Sequence, residues 1–471
     1  MDVTARRSVL SGLAATVALP ALPLARDMPP APGTTGYVLM DMESGRIIDA
    51  RRPDDGFVPA STVKSITALA TLATLPPTQR FFTRVHGRGP LEDGVLEGDL
   101  VLVGGGDAAL DTADLDRLAK ALRAKDVRRV TGRFLVTGIA WPEEPILNAL
   151  QPHQAGYNPA IGPLCLNFNR VLLRWRTRQG RRSLTTHAHA DDRTVPARSV
   201  AARALRRGGA LHGLEPGREV WALPERDLRR DGERWFPVRR PDLYAADVFR
   251  TLCAEEGIVL PEPRRTSETP TDPPLAMHRS DVVFAQTKKM MKYSTNLTAE
   301  MLGIAAARRI GGPPETVADA ARTTADWLVR EEIVSGEPVL ENHSGLSSRS
   351  RITPRQMGDI LRAGHTRFGG AFAGLHTEGK VRGPQDGLPS YTMRTKTGTM
   401  HFVRALAGFL EADGRRAVFA IYAMDERERM ALDARFTPYD ERKPPGSGRW
   451  LRRALDHENA LLRRWLERRL R

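Results

Sequence analysis

The sequence predicts a mixed α/β protein in which a long β-rich stretch interrupts parts built from helices and hairpins. Three observations carry this reading. A hairpin running straight into a helix opens the ordered part of the chain. A texture of short strands and turns then takes over from about residue 85 to 275. Helical periodicity and a second hairpin return after residue 280.

Residues 37–42 and 46–50 read as two strands across the turn Glu43-Ser44-Gly45. Pro59-Ala60-Ser61 then opens a helix, because Val63, Ile66, Leu69, Ala70 and Ala73 recur at helical spacing until Pro76-Pro77 ends the pattern. In the middle stretch, β-like pieces such as 100–103 and 129–135 alternate with Gly/Pro clusters and basic loops, as one or two inserted modules would. Helical patterns cover 288–308 and 315–333. Residues 403–410 and 416–423 form the second hairpin across Ala412-Asp413-Gly414. The tail 450–471 reads as a basic amphipathic helix with Leu451, Leu455, Leu462, Trp465, Leu466 and Leu470 on one side. Two uses of that face are open: docking on its own domain, or peripheral contact with an anionic membrane.

At 471 residues the chain is long enough for two to four domains, and 41% hydrophobic with 27% charged residues excludes wholesale disorder. The formal charge of +15 is mostly arginine. Spread over the surface it signals only an Arg-rich composition; an anionic wall polymer or membrane is a second reading. No zinc-finger spacing or aromatic-basic signature supports nucleic acid as a partner. Cys165 and Cys253 form no metal or redox spacing and are expected as two buried thiols or, in an oxidising compartment, a bridge. Arg6-Arg7 precedes an almost uncharged Ala/Leu run ending at Leu24, the layout of a signal peptide over 1–25 that resembles the twin-arginine type. The expectation is export to the periplasm by that or the general secretory route.

Three short motifs follow in order: Ser61-Thr62-Val63-Lys64, Ser294-Thr295-Asn296 and Lys396-Thr397-Gly398. A serine hydroxyl needs a base to become a nucleophile. Residues three apart on a helix share a face, so Lys64 reaches Ser61. Lysine acts as a base only when burial or another cation lowers its pKa, and Lys396 supplies such a cation. Ser294 is placed to relay a proton, Asn296 to hold a peptide backbone. Gly398 lets a ligand approach a strand edge, where an extended peptide would pair. The amides of Ser61 and Thr399 would form an oxyanion hole, and Lys396, Thr397 and Thr399 suit a terminal carboxylate.

This triple resembles the serine acyl-transferases that include penicillin-binding proteins and serine β-lactamases. The 233 residues between Ser61 and Ser294 narrow the resemblance to class C low-molecular-mass penicillin-binding proteins, the D-Ala-D-Ala carboxypeptidase/endopeptidase family. The stretches 58–64, 98–107, 162–169 and 344–347 are also similar. The resemblance implies a transpeptidase/β-lactamase-like α/β (α+β) domain, an antiparallel sheet flanked by helices, over 34–85 and 275–448. An inserted β-rich part would occupy 86–274 and the terminal helix 449–471. It implies a serine D,D-peptidase acting on peptidoglycan stem peptides, trapped by β-lactams, with catalytic Ser61, Lys64, Ser294, Asn296 and Lys396 and no metal or cofactor. A β-lactamase-like hydrolase and a non-catalytic peptidoglycan-binding protein are the alternatives. Three positions depart from the family pattern: Thr295 replaces Asp, His343 replaces Gly, and Ser348 replaces an Arg that grips the stem-peptide side chain. Arg349 or Arg351 is the expected substitute, with Arg351 taken as substrate-binding. His343 is expected to be a hydrogen-bonded structural residue.

Overall fold

The computed structural model describes residues 29–190, 193–468 and 470, so the stretch 1–25 that the sequence reads as a signal peptide lies outside the described residues. The run Tyr37-Val38-Leu39-Met40 is buried on both of its faces, which suits a central strand rather than an edge. Strand Thr34–Asp41 accordingly pairs on one side with Ile47–Arg51 and on the other with Arg415–Met424, from the far end of the chain. The sheet has six antiparallel strands in the order Thr377–Glu378, Tyr391–Met400, Val403–Ala412, Arg415–Met424, Thr34–Asp41, Ile47–Arg51. Asp413 and Gly414 both hold positive φ, 48° and 77°, the tight two-residue turn that matches strand twist.

Both faces of this sheet are covered. Val38, Met40, Val403 and Ala405 pack toward the helices Val63–Thr74, Asn296–Gly311, Val317–Arg330 and Pro354–Phe368. Tyr37, Leu39, Leu406 and Phe419 face the terminal helix Ser447–Arg468, which buries Leu461, Leu462, Trp465 and Leu466 there. Asp49 ties the helix down, accepting from Trp465 Nε1 at 2.8 Å and from Arg464 at 2.5 Å. The apolar side of the tail is therefore occupied by its own sheet. No helix among the described residues is long and apolar enough to cross a membrane.

Between Phe82 and Arg279 the chain builds four more sheets. A five-stranded one takes Phe82–Arg88, Asp99–Gly104, Phe134–Gly138, Pro263–Arg265 and Ala276–Arg279, so its strands extend beyond both sequence boundaries, 86 and 274. A small sheet of Leu91–Glu92, Val95–Leu96 and Arg129–Val130 flanks it. Further out lie a four-stranded sheet of Arg193–Pro196, Arg181–Ala190, Arg170–Arg178 and Gly232–Pro237, and a three-stranded one of Val200–Leu205, Arg218–Pro224 and Leu211–Glu215. The sequence reading of this stretch found no helices, yet Thr112–Ala124 and Pro241–Glu255 are both helical. The second is buried around most of its circumference, which removes the polar face that periodicity needs. The predicted strand 129–135 is in fact two strands in different sheets, Arg129–Val130 and Phe134–Gly138, broken at Thr131-Gly132. Cys165 and Cys253 are free buried thiols, and burial pushes Cys165 up to about 12.

Candidate active site

Ser61 lies in a short helical turn, Ala60–Thr62, that leads directly into helix Val63–Thr74. Thr62 closes the turn by donating its hydroxyl to Pro59 O at 2.7 Å. Ala60 holds φ at 43°, a left-handed conformation that costs a non-glycine residue about 1–2 kcal/mol. Two glycines press against this turn. A Cβ on Gly345 would stand 1.8 Å from Ala60 O, and one on Gly398 would stand 2.8 Å from Ser61 N. No residue with a side chain fits at either position without moving Ser61.

Lys64 is fully buried. Its Nζ stands 3.2 Å from Ser61 Oγ, 2.9 Å from Asn296 Oδ1 and 2.6 Å from Ser344 O. Burial holds it well below the usual lysine range, the Lys396 charge adds to the drop, and the Glu300 carboxylate opposes it. Asn296 is the first residue of helix Asn296–Gly311, and its Nδ2 donates to Tyr157 O at 2.9 Å, so a loop of the inserted part walls the site. Asn148, on the same loop, donates to Leu346 O at 2.9 Å. Ser294 takes φ 55° after helix Val283–Tyr293 and is half-buried. Among the described residues it shares no hydrogen bond with Lys64 or Ser61.

Lys396 and Gly398 lie on one side of strand Tyr391–Met400, against the Ser61 turn. Lys396 is 4% exposed and donates to Thr397 O at 3.1 Å. Burial first, and the Arg404 charge second, bring it down to about 8. Thr397 and Thr399 are exposed, Thr399 Oγ1 accepting from Arg404 at 3.2 Å. The short outer strand pairs only with Arg394 and Thr395. Beyond them the outer edge of residues 396–400 has no strand partner among the described residues.

Ser61, Lys64, Asn296, Lys396 and Gly398 thus converge. Arg351 stands apart: its guanidinium donates to Ser348 O at 2.7 Å and Ser350 O at 3.0 Å and pairs with Glu426 at 3.3 Å. Ser348 donates to Asp433 at 2.6 Å. Both residues clamp their loop to helix Glu426–Ala434 rather than pointing at Ser61. Sequence reasoning missed Glu300. Its fully buried carboxylate accepts from the amides of His343 at 2.9 Å and Ser344 at 2.8 Å. Burial would raise its pKa, but hydrogen bonds from His343 and Ser344 outweigh that and hold it below the ordinary value. His343 is buried, accepts through its carbonyl from Thr67 at 2.7 Å and meets Thr324 at 2.9 Å. The signal for Glu300 was present: it is the lone charge within 296–307, an otherwise apolar or neutral helical run.

Residues 24–437 match the D-Ala-D-Ala carboxypeptidase 3 (S13) family. The chain belongs to that family. Membership makes it a serine D,D-peptidase of the penicillin-binding class. It is 27% identical over 434 residues to the D-alanyl-D-alanine carboxypeptidase of Actinomadura sp. (strain R39), covering 82% of this chain and 77% of that one. It is 22% identical over 423 residues to D-alanyl-D-alanine carboxypeptidase DacB of Haemophilus influenzae, covering 83% and 85%. The fold of this S13 chain is similar to that of penicillin binding protein 4 (dacB) from H. influenzae, with a TM-score of 0.72 and 19% identity over 92% of this chain and 96% of the other. A second structure of that protein is complexed with a β-lactam and gives a TM-score of 0.71 at 19% identity, over 93% of this chain and 98% of the other.

Proposed function

We propose that this S13 peptidase cleaves the D-Ala–D-Ala terminus of peptidoglycan stem peptides, and D-Ala cross-links of the same chemistry, through an acyl-enzyme at Ser61. The observation that carries the reading is the surrounding of Lys64 Nζ. A neutral amine has two N–H bonds and one lone pair. Asn296 Oδ1 and Ser344 O can only accept, so they take the two N–H groups and leave the lone pair facing the Ser61 hydroxyl. A charged ammonium in the same fully buried place is disfavoured by desolvation and by Lys396.

The extended peptide pairs along the open edge of residues 396–400, its terminal carboxylate on Lys396, Thr397 and Thr399. Ser61 Oγ attacks the carbonyl carbon of the penultimate D-Ala while its proton passes to Lys64 Nζ. The oxyanion is held by the amides of Ser61 and Thr399. The C–N bond then breaks, and the departing D-Ala nitrogen takes the proton from Lys64 by way of Ser294, which joins the relay once the leaving amine bridges to it. Water attacks the ester, returns a proton to Ser61 Oγ and releases the shortened peptide. A β-lactam carbonyl meets the same hydroxyl.

Glu300 acts one step removed. Asn296 and Glu300 sit one turn apart on one helix; the first accepts from Lys64 directly, and the second fixes the 343–344 backbone whose carbonyl accepts from Lys64. The Arg6-Arg7 start and the nearly uncharged Ala/Leu run of residues 1–25 support export to the periplasm behind a signal peptide. The division into a catalytic part and an inserted part is supported by their separate sheets and cores, with the inserted part running from Phe82 to Arg279 rather than over 86–274.

The test is labelling with fluorescent penicillin together with D-Ala release from a pentapeptide. Label on the wild type, none on Ser61→Ala, and D-Ala release only from the wild type are expected. Absence of label on the wild type would sink the acyl-enzyme reading.

A further inference from the structure

The excess positive charge is not spread over the chain. Residues 170–240 hold eighteen arginines, no lysine and eight acidic residues, a net +10 of the total +15. The topology then gathers the free ones at one end of the inserted part. Strands Arg170–Arg178 and Arg181–Ala190 form a hairpin whose last pair is Arg178 with Arg181. The loop before Gly232 lies beside that tip: Asp231 accepts from Thr177 N at 2.8 Å, and Arg230 O accepts from Trp175 Nε1 at 2.6 Å. Strands Val200–Leu205 and Arg218–Pro224 run parallel and end level, Leu205 opposite Pro224. The turn holding Arg206 and Arg207 therefore emerges beside the segment 225–231 that carries Arg229. Three turns converge.

Arg178, Arg181, Arg182, Arg206, Arg207 and Arg229 are exposed, and none of their guanidinium groups has a hydrogen-bond or ion-pair partner among the described residues. Elsewhere in the same sheets arginines are neutralised, as Arg174 is by Glu233 and Arg218 by Glu215. Six unpaired guanidinium groups on neighbouring turns, with the carboxylates of Glu225, Asp227 and Asp231 beside them, leave a net positive field that favours a polyanionic partner.

We propose that this end of the inserted part docks on an anionic phospholipid bilayer. The patch is made of turn tips, which present their charges outward to a surface, rather than of groove walls that would follow a linear polymer. An apolar side chain stands among them: Leu211, 51% exposed, follows Arg206-Arg207 by way of Gly208-Gly209-Ala210. Guanidinium groups flanking a projecting leucine suit the headgroup–acyl boundary. Single-stranded nucleic acid requires free aromatic faces for stacking. The aromatic at this end, Trp175, is committed internally, its Nε1 given to Arg230 O and its ring packed where a Gly232 side chain would be, at 2.5 Å.

The experiment is co-sedimentation of the full chain with vesicles of phosphatidylcholine and phosphatidylglycerol, against phosphatidylcholine alone. The wild type should sediment with the anionic vesicles only, and high salt should release it. A variant combining Arg178→Glu, Arg181→Glu, Arg182→Glu, Arg206→Glu and Arg207→Glu should bind at least about tenfold more weakly. A control with Arg452→Glu and Arg453→Glu, exposed on the terminal helix, should bind within about twofold of wild type. Unchanged thermal midpoints show that both variants fold. The proposal is overturned if the wild type ignores anionic vesicles, if the five-site variant binds like wild type, or if the helix control loses binding equally. Displacement from vesicles by soluble polyphosphate at equal phosphate concentration would overturn it in favour of a linear polymer.

Discussion

Cations are used in opposite ways in two regions of this molecule. Around Ser61, Lys64 and Lys396 are 0% and 4% exposed, and every N–H of Lys64 has a fixed acceptor. On the outer turns of the inserted part the arginines are exposed and partnerless. Burial converts a positive charge into a tuned base, because desolvation and a second cation shift its proton affinity; exposure leaves the charge permanent and turns it into a field. Arginine suits the second use and lysine the first, since only lysine titrates within reach of neutral pH.

The harshest way to break the first half of this contrast is Ser61→Ala, which should lower D-Ala release by about a thousandfold or more and abolish the penicilloyl mass adduct. Next comes Gly398→Ala. Its methyl group would stand 2.8 Å from Ser61 N and 2.9 Å from Ala60 Cβ, so acylation should fall about a hundredfold with less than 2 kcal/mol lost from chemical denaturation. Glu300→Gln should cost about tenfold in the plateau acylation rate. Its sign in pH is specific: removing a negative charge lowers Lys64 further, so the acid limb of the acylation profile should move to lower pH, not higher. A role confined to packing would leave that limb in place.

Lys396 sharpens the contrast. With its pKa near 8 it is charged below that pH and neutral above it, so KM for a peptide carboxylate should rise as pH passes about 8. Lys396→Arg keeps the charge at all these pH values and should flatten the rise, whatever it costs in kcat. The smallest effect is expected in the arginine turns. Reversing the arginines of the outer turns should change penicillin acylation by less than about twofold, because a surface charge more than a Debye length away is screened.

Side-chain chemistry was the most legible part of the sequence. The motifs single out Ser61, Lys64, Asn296 and Lys396 by residue type and spacing, and the fold brings these four side chains together. Backbone contributions left no mark: nothing in a sequence states that Ser344 O would hold Lys64. Arg351 was read as facing a substrate, whereas loop carbonyls and Glu426 occupy it. Helix Thr112–Ala124 was missed although the Asp111/Asp114 capping box and the Leu115, Leu118, Leu122 spacing announce it, because surrounding strands coloured the whole stretch as β. Composition gives the number of arginines and not their place; strand pairing brings distant turns together.

The pairing of Thr34–Asp41 with Arg415–Met424 bears on how the molecule comes into being. At 5–20 residues per second a ribosome delivers the partner strand about 20–75 s after the first. The inserted sheets, complete by Arg279, have their own core and can form during that wait. Strand Tyr391–Met400, which supplies Lys396 and Gly398, arrives near the end. For most of its synthesis the nascent chain therefore holds Ser61 and Lys64 without the strand that lies against them, and a fragment truncated before residue 391 would stay in that state.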